Sequence, residues 1–224
     1  MDNGRGRIGT LTEKLFFPIP RASHFSEQKV FCLRTKISFV LAINPLFIHH
    51  RTFTAMMTIR PEKEEDREAI RRVNKLAFSR SNEADLVDAL RIRAYPYLSL
   101  VAVLDDRLVG HIFFSPVWVE SEGAAFMAMG LAPMAVLPEY QKQGIGSELV
   151  RQGLSECWRL GHNIVVVLGH PKYYPRFGFA PAKLKGLRCE YDAADEVFMV
   201  VELDAGALGG RHGLVKYHPE FRTV

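Results

Sequence analysis

Residues 126–169 constrain the fold more than any other part of the chain. FMAMGLAPMAVLP (126–138) is an apolar run closed by Pro138. NIVVVLG (163–169) is a continuous β-branched run of the kind buried on both faces of a sheet. Between them, residues 144–160 place Ile145, Leu149, Leu154, Cys157 and Trp158 on the apolar side of a helix, and Gly161 suits its C-terminal cap. A buried strand, a helix and a second buried strand need an α/β core around them.

The flanking sequence supplies one. Residues 58–60 are β-prone and Pro61 closes them. Asp66 is placed to cap a helix whose apolar positions Ile70, Val73, Leu76 and Ala77 recur at three and four residues. Residues 79–82 break it, and Ser81 or Asn82 caps a second helix with Leu86, Val87 and Leu90 inward. LSLVAVLDDRLVGHIFFSPVWVE reads as a β-hairpin turning at DDR, and VFMVVEL (197–203) as a further strand. The expected order is β-α-α-β-β-β-α-β-(short helix)-β-β, one mixed sheet with helices on both sides. The domain is expected to span 57–204, with 205–224 as a tail packed on it.

Residues 1–56 differ in character from the remainder of the chain. They show no sustained periodicity and carry eight Lys/Arg against three Asp/Glu, a net +5, which leaves −1 for the rest of a chain of net charge +4. The basic character therefore belongs to this extension and does not imply a nucleic-acid groove on the domain. The apolar run 37–48 is interrupted by Asn44-Pro45 and is shorter than the roughly 20 residues that span a bilayer. Met56-Met57 followed by TIRPEKEEDREAI reads as a fresh domain start, so 1–56 is expected to be a mis-assigned start or a dispensable arm. Cys32, Cys157 and Cys189 are scattered without metal-ligand spacing. They fit a reducing, cytoplasmic setting and no structural metal, and His49-His50 reads as a chance pair.

YQKQGIGSEL (140–149) lies between a buried strand and a helix. It is either a glycine-permitted turn or a phosphate cradle, because a helix N-terminus offers unpaired N–H groups and partial positive charge. Neither GxxxxGK[ST] nor an opening GxGxxG is present. What stands here is Gln141-x-x-Gly144-x-Gly146, and AVLPEYQKQGIGSELV resembles the acyl-CoA pyrophosphate signature of the GNAT N-acetyltransferases. The order of elements matches that family over roughly 57–204, and SNEADLVDALR and YYPRFGF look most like its YhbS-type branch.

The resemblance implies a mostly antiparallel sheet of about seven strands, splayed between the fourth and fifth. It implies pantetheine along Met134, Ala135 and Val136, and pyrophosphate on the amides of Gln143, Gly144, Ile145, Gly146 and Ser147, with Gln141 and Lys142 adding donors. Lys142 or Arg151 would approach the 3′-phosphate. Tyr174, five residues before Phe179, takes the place of the acid that protonates the leaving thiolate; packing suits Tyr173, Phe177 and Phe179. The strand carboxylate that serves some members as base is Gly130 here, and Val167 stands where many have Asn. Deprotonation is left to water, Glu83, Glu139 or His170. Pro171 and Pro175 leave little room for the usual fourth helix. Glu83 and Asp85 are candidates for drawing in a cationic amine, and Cys157 reads as packing.

The implied activity is acetyl transfer from acetyl-CoA, without a metal, to an amine of a small molecule, protein or peptide. The alternatives are a non-catalytic acyl-CoA-binding or partner-docking module and, third, membrane attachment through 1–56. GLVKYHPEFRTV is a candidate to extend a sheet or to cross to a partner in a homodimer.

Overall fold

The computed structural model describes residues 56–224; the extension 1–56, apart from Met56, lies outside the described residues, as do the readings made on it. The strands are β1 (Met57–Pro61), β2 (Leu98–Leu104), β3 (Arg107–Ser121), β4 (Ala124–Val136), β5 (Ile164–Leu168), β6 (Ala180–Pro181), β7 (Leu187–Cys189), β8 (Phe198–Glu202) and β9 (Gly213–Lys216). The helices are α1 (Arg67–Phe78), α2 (Asn82–Arg93) and α3 (Ile145–Arg159).

One sheet runs β1-β2-β3-β4-β5-β8-β6, with β9 paired to β3 and β7. β4–β5 and β7–β9 are parallel and the other ladders antiparallel. The hairpin turn is as expected: Asp105 and Asp106, with φ of 47° and 63°, supply the two positive values of a tight β2–β3 connection. Among the described residues the sheet has nine strands rather than about seven. β6 and β7 are two and three residues long, too short to show alternation. β9 comes from the segment read as a tail, and pairs within the chain's own sheet.

Side chains alternate between two core layers. Ile112, Phe114, Met129 and Leu131 pack with Leu149 and Val150 of α3. Phe113, Val117, Val119 and Ala128 pack with Leu86, Val87 and Leu90 of α2. Burying each large apolar side chain stabilises the fold by about 1.5–3 kcal/mol. Gly153 lets α3 close on the sheet, since a Cβ there would lie 2.5 Å from the Phe114 ring. Gly161, at φ +83°, follows α3 and donates to Trp158 O. Trp158, expected on the apolar side, is 55% exposed and donates to Asp204 Oδ1; one residue past buried Cys157, it is rotated about 100° off the packed face. Leu76 is likewise 44% exposed.

Asp66 does not cap α1 with its side chain. It closes the preceding 3-10 turn, accepting from the Lys63 amide at 2.7 Å and from Arg60 at 2.6 and 2.9 Å. The Arg60 hydrogen bond holds its carboxyl below the usual carboxylate range.

A buried polar chain fastens α1 and α2 to the sheet. Asn74 Nδ2 donates to His111 Nδ1 at 3.1 Å, which fixes the tautomer with the proton on Nε2, facing Ser99 Oγ at 3.0 Å. Ser99 donates to Glu62, which Arg91 also holds at 2.7 and 3.0 Å. Complete burial, reinforced by the Arg91 charge, pushes the His111 pKa down to about 3. Glu62, 4.0 Å from Nε2, does not favour the imidazolium because Arg91 already neutralises it. The imidazole must charge on unfolding below its ordinary value of about 6.5. The unfolded chain then binds the extra proton, and stability falls as pH drops from about 6.5 toward 3. Chemical denaturation at pH 7 and pH 5 should show a larger loss for the wild type than for His111→Asn.

Candidate active site

β4 and β5 are paired only at Met129–Val165 and Gly130–Val166. Beyond Gly130 the two strands part, and β4 keeps its β3 partner but loses a neighbour on the other side. A bulge sits at the parting. Ile112 faces Met134 while Phe114 faces Leu131, so Ala132 and Pro133 together oppose Phe113. From Leu131 to Val136 β4 therefore has no strand partner on its β5 side.

That edge runs into the glycine loop. After Leu137, Pro138–Tyr140 make a 3-10 turn. Gln141 Nε2 donates to Val136 O at 3.0 Å, and Gln143 Nε2 to Glu139 O at 3.0 Å. Both glutamine amides thus brace the loop from within. Lys142 is exposed, with φ +61°.

The two glycines have different reasons. Gly144 takes φ +90°, and a Cβ there would meet nothing within 4 Å, so backbone conformation requires it. A Cβ on Gly146 would lie 3.1 Å from Tyr173 Oη and 3.7 Å from Met134 Sδ, so a side chain there would press on the Tyr173 hydroxyl. The amides of Ile145, Gly146 and Ser147 are in the first turn of α3 and have no carbonyl four residues back within the helix. Strand edge, amides and Tyr173 hydroxyl thus converge at Gly146.

Tyr173, read as packing, therefore presents its hydroxyl to the loop. Burial raises its pKa, while a hydrogen bond with Ser147 opposes the rise. Arg176 stacks over its ring at 4.7 Å, and Arg151, paired with Glu148 at 3.0 Å, lies over Phe177 at 5.9 Å. Arg176 is a cation at this end that periodicity gave no reason to single out. Tyr174 is buried in a 3-10 turn (Tyr174–Phe177) where a fourth helix was not expected, edge-on to Tyr173 and Phe179. Burial raises its pKa well above the ordinary tyrosine range, so it is a protonated hydroxyl at neutral pH. Its ring covers Gly169, at the end of β5.

The three base candidates are not brought together. Glu83 is fully buried, not solvated, and both of its oxygens accept from Arg80, at 3.0 and 3.1 Å from Nε. Glu139 is half exposed, follows β4 and pairs with Arg107 at 2.8 Å. That puts it past the loop end of the edge, about 20 Å of strand from Gly130. His170 Nδ1 accepts from the Lys172 amide at 3.2 Å. Asp85 pairs with Arg71 at 2.7 Å. Val167 is buried. Cys157 is buried in the α3 layer, and burial pushes its thiol up to about 12, which keeps it from acting as a thiolate. Among the described residues no cluster could hold a metal ion, and no helix is long and apolar enough to cross a membrane. A cavity of about 280 Å³ lined by His162, Asp204 and Arg211 lies at the opposite end of β5 from Gly169, away from the open edge.

An unpaired strand edge leading from a strand divergence to a glycine-lined helix N-terminus defines a site for a long, phosphate-bearing ligand. Residues 58–182 match the model of the acetyltransferase (GNAT) domain. The chain belongs to the GNAT acetyltransferase family. It is similar to the uncharacterized N-acetyltransferase YhbS of Escherichia coli K12, 39% identical over 166 residues, 74% of this chain and 98% of that protein. YjhQ of the same strain is 40% identical over 152 residues, 66% of this chain and 81% of that protein. The crystal structure of E. coli YhbS in complex with CoA superposes with TM-score 0.71 at 37% identity, covering 78% of this chain and 96% of that one. A GNAT acetyltransferase from Brucella melitensis in complex with acetyl-CoA gives 0.61 at 36% identity, covering 74% and 98%.

A Cβ on Gly169 would lie 2.1 Å from Tyr174 Cε2. Gly169→Ala should therefore displace the ring and cost about 1–3 kcal/mol of stability, read by chemical denaturation.

Proposed function

We propose that this acetyltransferase moves the acetyl group of acetyl-CoA directly to an amine of a small molecule, protein or peptide, within a ternary complex. The observation that carries this reading is the open β4 edge ending at the Gly146 cradle. Its length and chemistry match a ligand with amides along one part and a pyrophosphate at the other. The relatives solved with CoA and acetyl-CoA support it.

In this reading Met134, Ala135 and Val136 pair with the pantetheine amides. The amides of Gln143, Gly144, Ile145, Gly146 and Ser147 hold the pyrophosphate, with Tyr173 beside them. Gln141 acts indirectly by bracing Val136 O. Lys142 faces solvent beside the loop, where it adds positive charge toward the phosphates. The amine lone pair forms a bond to the thioester carbonyl carbon as the C–S bond breaks. Tyr174 gives its proton to the departing sulfur and recovers one from solvent, and the amine proton leaves to water. Water suits that last step better than Glu83 or Glu139, because both carboxylates are occupied by arginine.

Calorimetry with acetyl-CoA, with ATP and NAD as controls, tests the ligand. The wild type should bind acetyl-CoA alone at micromolar concentration, and Gly146→Val should weaken that binding at least tenfold without unfolding the protein. Tyr174→Phe should lower turnover at least tenfold while leaving acetyl-CoA affinity near wild type. Tight binding with no thiol release from any amine would instead favour a non-catalytic acyl-CoA-binding module.

A further inference from the structure

Among the described residues, two buried hydroxyls have no hydrogen-bond partner, Ser115 Oγ and Tyr217 Oη. Leaving such groups unpaired costs about 1–3 kcal/mol each, and both residues lie beside Gly130. Ser115 is the register partner of Gly130, the residue at which β4 leaves β5. Tyr217, just after β9, lays its ring on the same place: a Cβ on Gly130 would lie 3.3 Å from Tyr217 Cε1 and 2.8 Å from Val117 Cγ1. Ser115 is fully buried and Tyr217 only 8% exposed.

Their face of the sheet is defined. Phe114, adjacent to Ser115, packs on α3, so Ser115 points to the opposite side, with Phe113 and Val117. Tyr217 packs there with Phe221 and Tyr191. The Gly146 cradle opens at the α3 end of the slot, whereas these hydroxyls meet the slot from the other face, at its apex.

We propose that Ser115 and Tyr217 form the acceptor subsite, their hydroxyl oxygens accepting the N–H bonds of a primary amine and turning its lone pair toward the thioester at the Gly130 apex. This rests on the acetyl-transfer reading. It gives the side-chain-free position Gly130 a purpose, since a Cβ there would clash with Val117 and press on the Tyr217 ring. Burial holds Tyr217 as a neutral hydroxyl, so it orients the amine and does not act as its base.

Removing a partnerless hydroxyl leaves the fold neutral or more stable, which separates the subsite role from a merely structural one. Thiol release from acetyl-CoA is measured for wild type, Tyr217→Phe and Ser115→Ala with spermidine, lysine ethyl ester and a tripeptide with a free N-terminus. Each variant should keep or raise the wild-type Tm and keep its acetyl-CoA affinity. Each should lose at least tenfold in kcat/KM for the best amine. A kcat/KM within twofold of wild type for both variants overturns the assignment. So does a wild type that binds acetyl-CoA while none of these amines accelerates release, an outcome that leaves the acetyl-CoA site standing. A wild type that binds no acetyl-CoA overturns the acetyl-transfer reading itself, and the subsite with it.

Discussion

The rest of this molecule depends on a place where hydrogen bonding stops. β4 and β5 hold one another through Met129 and Gly130 and then separate, leaving a strand that the sheet has not finished satisfying. The bulge at Ala132 and Pro133 bends β4 at that point. A continuous β4–β5 ladder would gain a few backbone hydrogen bonds and lose the slot. The surroundings of the slot make the gap tolerable: α3 packs on one face of the sheet, α2 on the other, and the Gln141 amide satisfies the Val136 carbonyl where the strand ends.

The two faces of the slot are built differently. On the α3 face the groups are backbone amides, small residues and the hydroxyl of Tyr173, with Lys142, Arg151 and Arg176 near the loop. That combination suits an anion whose shape is fixed. On the other face the lining at the apex is neutral, Ser115 and Tyr217 over Gly130. The arginine-bound carboxylates Glu83 and Glu139 are spoken for by their partners.

How much of this was legible in the sequence depends on how local each signal is. The buried runs at 126–138 and 163–169, the DDR turn and the glycine loop declare themselves within a dozen residues, because turn chemistry and apolar continuity are short-range properties. The same holds for the assignment of Gln141, Gly144 and Gly146 to one loop, though not for the reason each is there. Whether Gly146 answers to Tyr173 and Met134 depends on a contact across the fold. Glu83 reads as a surface residue of a helix until the Arg80 pairing buries it. β9 and Tyr217 are hidden behind the glycine-rich stretch 205–213, and their partners on β3 and β4 lie about a hundred residues upstream. Tyr173 and Tyr174, adjacent in sequence, differ in their contacts: the missing side chain at Gly169 admits the Tyr174 ring, while Tyr173 directs its hydroxyl toward Gly146.

The open edge of β4 has a consequence for association between copies of the chain. An unpaired row of backbone groups is a template for any extended strand, and proteins that keep one must discourage edge-to-edge growth. Here the bulge breaks the repeat and Pro133 offers no N–H, so an incoming strand could match only a few residues before losing register. A ligand with amides separated by flexible spacers has no such register to keep. The irregularity that leaves this edge open thus also limits how far an added strand could pair along it.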